Sequence, residues 1–183
     1  MNAVRALSLI VVAITATFAM PSTSEAASAA EINAEANATL HSFVRQIGGA
    51  PELAHKAVGV LIFPSVVKAG FGFGGEYGEG VLLIHGRPSG YYNLISGSFG
   101  FQIGVQERSV IIMFMTNEAL ANFNRLAGLK IGVDASVAIV TVGVGGSIDT
   151  NTITSPVIGF ILDPTGLMYN LTLEGTKISR ISR

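Results

Sequence analysis

The chain has 183 residues, of which 49% are hydrophobic and 13% charged, with a formal net charge of −1 at pH 7 and no cysteine. That charged fraction is far below the roughly one quarter usual for soluble domains, so much of the surface is uncharged, and a net charge so near zero excludes the long-range attraction that brings proteins to nucleic acid. Disulfides, thiolate nucleophiles and cysteine metal sites are excluded together, which leaves packing to hold the fold.

Arg5, an apolar stretch from Leu7 to Met20 and the small, polar Pro21-Ser22-Thr23-Ser24-Glu25-Ala26 follow the three-part layout of a cleavable secretory signal. The apolar stretch is shorter than the roughly twenty residues a membrane-crossing helix needs; an uncleaved anchor is the alternative. Ser24-Glu25-Ala26 fits small-x-small cleavage, with Ala27 as the other choice of last residue. No cysteine follows the stretch, so a lipid-modified N-terminal cysteine is excluded. The expectation is a leader over 1–26, an N-terminal helix over 27–50 and a glycine-rich β domain over 51–183, in a protein exported to the periplasm, the outer envelope or beyond. Removing 26 of the 183 residues leaves 157, one ordinary domain with enough chain to bury a core.

Between Ser28 and Ile47 the apolar residues Ile32, Ala36, Leu40, Phe43, Val44 and Ile47 recur at helical spacing, with Glu31, Glu35, Asn37 and Arg45 elsewhere on the wheel. Gly48-Gly49 ends this amphipathic helix, and Pro51-Glu52-Leu53-Ala54 predicts a short further turn. The pattern then changes to short runs rich in β-branched and aromatic residues: Val58 to Val67, Gly70 to Tyr77, Gly80 to His85, Tyr91 to Ile95, Ser98 to Gln106 and Ser109 to Met115. These predict antiparallel strands joined by hairpin connections at His85 to Gly90, Ser96-Gly97 and Glu107-Arg108. Thr116-Asn117-Glu118 supplies a cap and an acidic first turn for a second helix over Asn117 to Ala127, stopped by Gly128. Strands over Lys130 to Val144, Val157 to Leu162 and Leu167 to Leu173 complete the expectation, with Asp163-Pro164-Thr165-Gly166 as a turn. The fold class is α+β, a curved antiparallel sheet or small barrel with two helices.

The segments Gly70-Phe71-Gly72-Phe73-Gly74-Gly75 and Ser98-Phe99-Gly100-Phe101-Gln102-Ile103-Gly104 alternate a large apolar residue with a small or polar one, so one face of each strand is aromatic and the other nearly bare. Bare faces let backbones approach and sheets bend. Gly70, Gly72 and Gly75 satisfy the dinucleotide pattern G-x-G-x-x-G, but Glu76-Tyr77-Gly78-Glu79-Gly80 is no helix start, and the strand-turn-helix context is missing. His41, His55 and His85 lie far apart, outside any metal-binding spacing, and no metal or other cofactor is expected. Glu76 and Glu79 are the one carboxylate pair placed for acid–base work, and flanked by glycines they read as solvated turn residues. No G-x-S-x-G elbow occurs. Asn37-Ala38-Thr39 and Asn170-Leu171-Thr172 match glycosylation acceptors, which count only in a eukaryotic secretory route.

Ala57 to Pro64, Ala69 to Gly75, Gly78-Glu79-Gly80-Val81-Leu82, Gly100 to Gly104, Leu129 to Ala138 and Leu171-Thr172-Leu173-Glu174-Gly175, taken in that order, resemble the SYLF domain family over roughly Glu52 to Ile181. The resemblance implies a lipid-binding domain that is not an enzyme. Eukaryotic members bind phosphoinositides and associate with actin, and bacterial members are typically exported. The chain departs from the family pattern at Tyr91-Tyr92-Asn93-Leu94, where many members carry tryptophan and proline, and at Ile139-Val140-Thr141, where glycine-proline is usual. Its N-terminal helix is acidic where eukaryotic headgroup binding uses a basic one.

The expected partner is thus a lipid or membrane surface, with no nucleic acid and no metal. Acyl chains are expected against Phe71, Phe73, Phe99 and Phe101, with Tyr91 and Tyr92 nearby and Lys68, Arg87 or Lys130 near a phosphate. The rival reading is an envelope structural or protein-interaction module whose rings fill its own core.

Overall fold

The computed structural model describes residues 27–134, 136–140, 148, 154–162, 173 and 175–183, and within the strands the side chains of 69–73 and 98–104 are outside that description. The expected leader and the expected strand Leu167 to Leu173 fall almost wholly outside the described residues.

Helix α1 (Ala29–Gln46) is capped by the Ser28 hydroxyl, which accepts from the Glu31 amide at 3.2 Å, and it buries Ile32, Ala36 and Phe43 along one stripe. A left-handed Gly49 turns the chain into α2 (Ala50–Lys56), where Pro51 occupies the first turn and Ala50 and Leu53 are buried. Among the described residues no helix is long and apolar enough to cross a membrane.

The six short strands expected from the sequence are joined into two long ones. Strand β1 (Gly59–Ile84) and strand β2 (Arg87–Phe114) pair antiparallel along nearly their whole length. The hairpin turn is His85-Gly86, with φ of 50° and 72°. Positive φ at both positions matches the right-handed twist of the flanking strands. The breaks expected at Ser96-Gly97 and Glu107-Arg108 lie inside the ladder, opposite Glu76-Gly75 and Val67-Val66. Turn-forming residues do not end these strands, because a ladder paired on one side tolerates glycine and takes up irregularity as a bulge. Register shifts fall between Phe63 and Val66, Gly70 and Gly72, and Leu82 and Leu83.

Strand β2 is the spine of the sheet. Its second edge is shared by two partners: β5 (Val157–Leu162) on Ser109 to Phe114 and β6 (Lys177–Ile181) on Tyr91 to Ile95. Strand β3 (Gly128–Lys130) extends β6, and β4 (Ala138–Ile139) pairs parallel with β5. The α+β class with a curved sheet is as expected; the β4–β5 pair makes that sheet mixed rather than wholly antiparallel. Strand β6 was not legible in the sequence, since Lys177-Ile178-Ser179-Arg180 carries two cations in four residues.

The sheet curls because the ribbon folds back on itself. The outgoing half of β1 buries Leu61, Phe63 and Val66 on its inner face, and the returning half buries Leu82 there, together with Tyr92, Leu94, Ile112 and Phe114. Helix α3 (Asn117–Arg125) closes this inner core with Leu120 and Phe123; the Phe123 ring lies 4.8 Å from Tyr92 and 4.9 Å from Phe114, centroid to centroid. Such tilted aromatic contacts add about 0.5–1.5 kcal/mol each to the burial of their area. The outer face, with Val60, Ile62, Val81, Leu83, Ile111, Met113, Ile158 and Phe160, is covered by α1 and α2, and Phe43 meets Phe160 at 4.7 Å.

Where the halves of β1 pass each other there is no room for side chains. A Cβ at Gly78 would lie 2.6 Å from the Ser65 carbonyl oxygen, and one at Gly80 would overlap the Ile62 carbonyl and the Phe63 ring. Nothing lies within 4 Å of a Cβ at Gly97. Gly80→Val is therefore expected to cost about 1–3 kcal/mol or more through overpacking against backbone, while Gly97→Val changes stability by about 0.5 kcal/mol or less. Urea unfolding of the two variants beside the parent checks this.

Candidate functional site

The ribbon bends between residues 68 and 76 of β1 and 97 and 106 of β2. Across the bend Gly72 faces Gly100, Phe73 faces Phe99, Gly74 faces Ser98 and Gly75 faces Gly97. Glycine opposite glycine leaves the ladder little side-chain bulk to resist bending. The backbones of Phe71, Phe73, Phe99 and Phe101 are thus gathered in one short stretch of ribbon; their side chains lie outside the description. Flanking them, Val105 is 74% exposed and Val67 39%, and the cross-strand pair Tyr77 and Ile95 is about half exposed. Exposed large apolar residues this close together mark a contact surface more often than isolated ones do.

Charge lies beside this apolar stretch. Glu76 is 6% exposed, and its carboxylate accepts from Arg108 Nη2 at 2.5 Å and faces Lys68 Nζ at 3.9 Å, so two cations surround one carboxylate. Two hydroxyls secure the bulge at this point: Ser65 donates to Glu107 and Ser109 to the Pro64 carbonyl oxygen, both at 2.6 Å. Arg108 Nε is buried without a partner among the described residues. A buried donor left unpaired is costly, commonly about 1–3 kcal/mol.

Glu79, three positions along the same strand, points to the opposite face. There it accepts from Arg183 Nε at 2.9 Å, from Arg183 Nη2 and from the Tyr77 hydroxyl at 2.6 Å. Burial opposes ionisation of Glu79, yet the hydrogen bonds from Arg183 and Tyr77 and the charge of Arg183 together hold its pKa below the ordinary value. The Tyr77 hydroxyl is raised by burial and by Glu79. The carboxylates of Glu76 and Glu79 therefore face away from each other, each engaged by cations, and do not form a shared acid–base cleft.

The remaining predicted residues are dispersed. Tyr91 lies against α1, its hydroxyl accepting from Asn33 Nδ2 at 2.9 Å. Tyr92 is 1% exposed in the inner core against Phe123. Arg87 is exposed beside the hairpin turn, at the far end of the returning half. Lys130 is exposed on β3, its backbone amide donating to Asp134 at 2.7 Å. Of the nominated cations, the structure brings Lys68 to the bend. It adds Arg108, which the sequence reading left unassigned: register with Val66 and the fold-back toward Glu76 both depend on tertiary structure. Among the described residues no three His, Asp or Glu side chains come together as metal ligands.

Fold and site define an α+β domain built on one curled two-stranded ribbon, whose bend carries exposed apolar residues and a cluster of paired charges. Residues 95–182 match the family model Ysc84, described as Las17-binding protein actin regulator. The match is consistent with the resemblance to the SYLF domain family. No curated protein matches it.

The Glu79 contacts predict a pH dependence. A carboxylate whose folded pKa is lowered stabilises the fold above its ordinary pKa, and that contribution is lost as the pH falls through the lowered folded value. Glu79→Gln is expected to melt about 2–4 °C below the parent at neutral pH, with the gap closing under acid conditions, as read by thermal denaturation across pH.

Proposed function

We propose that this protein is exported and binds lipid at the cell envelope without catalysing a reaction. The observation that carries the reading is the bend, where Val67 and Val105 are exposed on the flanks of the phenylalanine stretch and Lys68 is partly exposed on the other face. Exposed apolar surface at a bend whose other face carries a partly exposed lysine suits an interface with acyl chains and a headgroup. The match of residues 95–182 to the family model and the secretory layout of residues 1–26 support the same reading. The engagement of Glu76 and Glu79 in separate ion pairs supports a binding role over acid–base catalysis.

In flotation assays the mature protein is expected to rise with vesicles containing phosphatidylglycerol and less with phosphatidylcholine alone. Val105→Asp and Lys68→Glu each lower the floated fraction several-fold, whereas Ala38→Asp, on the exposed side of α1, does not. Absence of binding to either vesicle would sink the proposal, and capture of one stoichiometric envelope protein in its place would favour an interaction module. Export is checked by N-terminal sequencing of protein recovered outside the cytoplasm, which should begin at Ala27 or Ser28; material starting at Met1 in the cytoplasm alone would overturn it.

A further inference from the structure

A second concavity lies away from the bend. A pocket of about 490 Å³ opens between α3, Asp134, the segment Ser136 to Ala138 and the segment Ser155 to Val157. Its floor is the inner core: Phe114, Phe123, Leu129 and Val157 are all buried and turn an apolar surface into it. At its edge Leu126 is 54% exposed, although the rest of the apolar stripe of α3 is covered.

The polar lining has one sign. Glu118 and Asp134 contribute two carboxylates, Ser136 and Ser155 two hydroxyls, and among the described residues no lysine, arginine or histidine lines the pocket. Asp134 accepts the Lys130 amide through one oxygen, and Asn122 accepts from Arg125 at 3.0 Å, the nearest cation by sequence. The Glu118 carboxylate and the two serine hydroxyls form no side-chain hydrogen bond with another described residue. Thr116 is engaged in capping α3 through the Ala119 amide. An anionic head would meet two like charges here, and a purely apolar molecule would leave them without compensation.

We infer that this pocket binds a molecule with an apolar body and a protonated amine, the body against Phe114 and Phe123 and the ammonium between Glu118 and Asp134. A pocket of this size takes a ligand comparable to a small drug or a medium alkyl chain, and an ammonium paired with two partly exposed carboxylates gains modest but additive Coulomb energy. The inference does not depend on lipid binding at the bend, whose Lys68 and Arg108 do not line this pocket.

Isothermal titration of the mature protein with dodecylamine, dodecanol and dodecanoate, each below its micelle concentration, tests it. Dodecylamine is expected to bind about tenfold more tightly than dodecanol and more tightly still than dodecanoate, with the advantage shrinking in salt. The double variant Glu118→Gln/Asp134→Asn should bring dodecylamine down to the affinity of dodecanol. Methyl resonances of Leu126 and Val137 should shift in the unmodified protein while that of Val105 stays, a readout that needs no variant to fold. Equal or tighter binding of dodecanoate, or shifts at Val105 without shifts at Leu126 and Val137, overturns the inference. Lysophosphatidylethanolamine identifies the source: affinity matching dodecylamine assigns the amine to a lipid headgroup, and weaker affinity assigns it to a free amine.

Discussion

The antiparallel ladder between β1 and β2 is the constraint on which the rest depends. It runs from Gly59 opposite Phe114 to Ile84 opposite Arg87, and it stays paired while its direction reverses in space. A ribbon of that length cannot be flat in a domain this small, so it must bend; it can bend back to contact only where side chains vanish. Gly78 and Gly80 meet the backbone of residues 62 to 66 in the one manner that preserves both the pairing and the close approach. Everything else is arranged around that crossing: α3 fills the inside of the curl, α1 and α2 cover the outside, and β5 and β6 each take half of the free edge of β2.

The same bend explains why a charged cluster sits in a protein with so little charge. Folding the ribbon back brings Arg108, from the outgoing half, to Glu76, on the returning half, where both are nearly buried. Burying such a pair recovers little net stability, because desolvation offsets most of the attraction. Its value is positional: it orients Arg108 and holds Lys68, still partly exposed, at the bend. On the opposite face of the strand, Glu79 performs a different task, tying the chain end through Arg183 to the returning half of β1. Two carboxylates three residues apart thus serve two unconnected structural roles, as the alternation of a strand requires.

Much of this was readable from residue patterns. The apolar spacing of Ile32, Ala36, Phe43 and Ile47 and the caps at Ser28 and Thr116 specify α1 and α3 locally, because helix hydrogen bonds close within a few residues. The run Val157 to Leu162 is β5 to the residue, being continuously apolar and buried on both faces. The glycine and phenylalanine alternation identified the bend as the place where the sheet curves. Strand continuity was not readable: Ser96-Gly97 and Glu107-Arg108 look like turns, and only a partner strand across the ladder turns them into strand residues. Tyr92 looked like a binding residue and is core, since its neighbour in space, Phe123, is thirty-one positions away.

By itself, then, the sequence determined the helices, the class of fold, the low charge and the family resemblance, all of which follow from local periodicity and composition. Tertiary structure decided which of the nominated residues meet. The pairing of Glu76 with Arg108, the burial of Tyr92 and the acidic pocket beside α3 each join residues distant along the chain. Such contacts depend on where a long ribbon crosses itself, and that is set by backbone close approach at two glycines, a geometric condition that no local pattern of apolar and polar residues encodes.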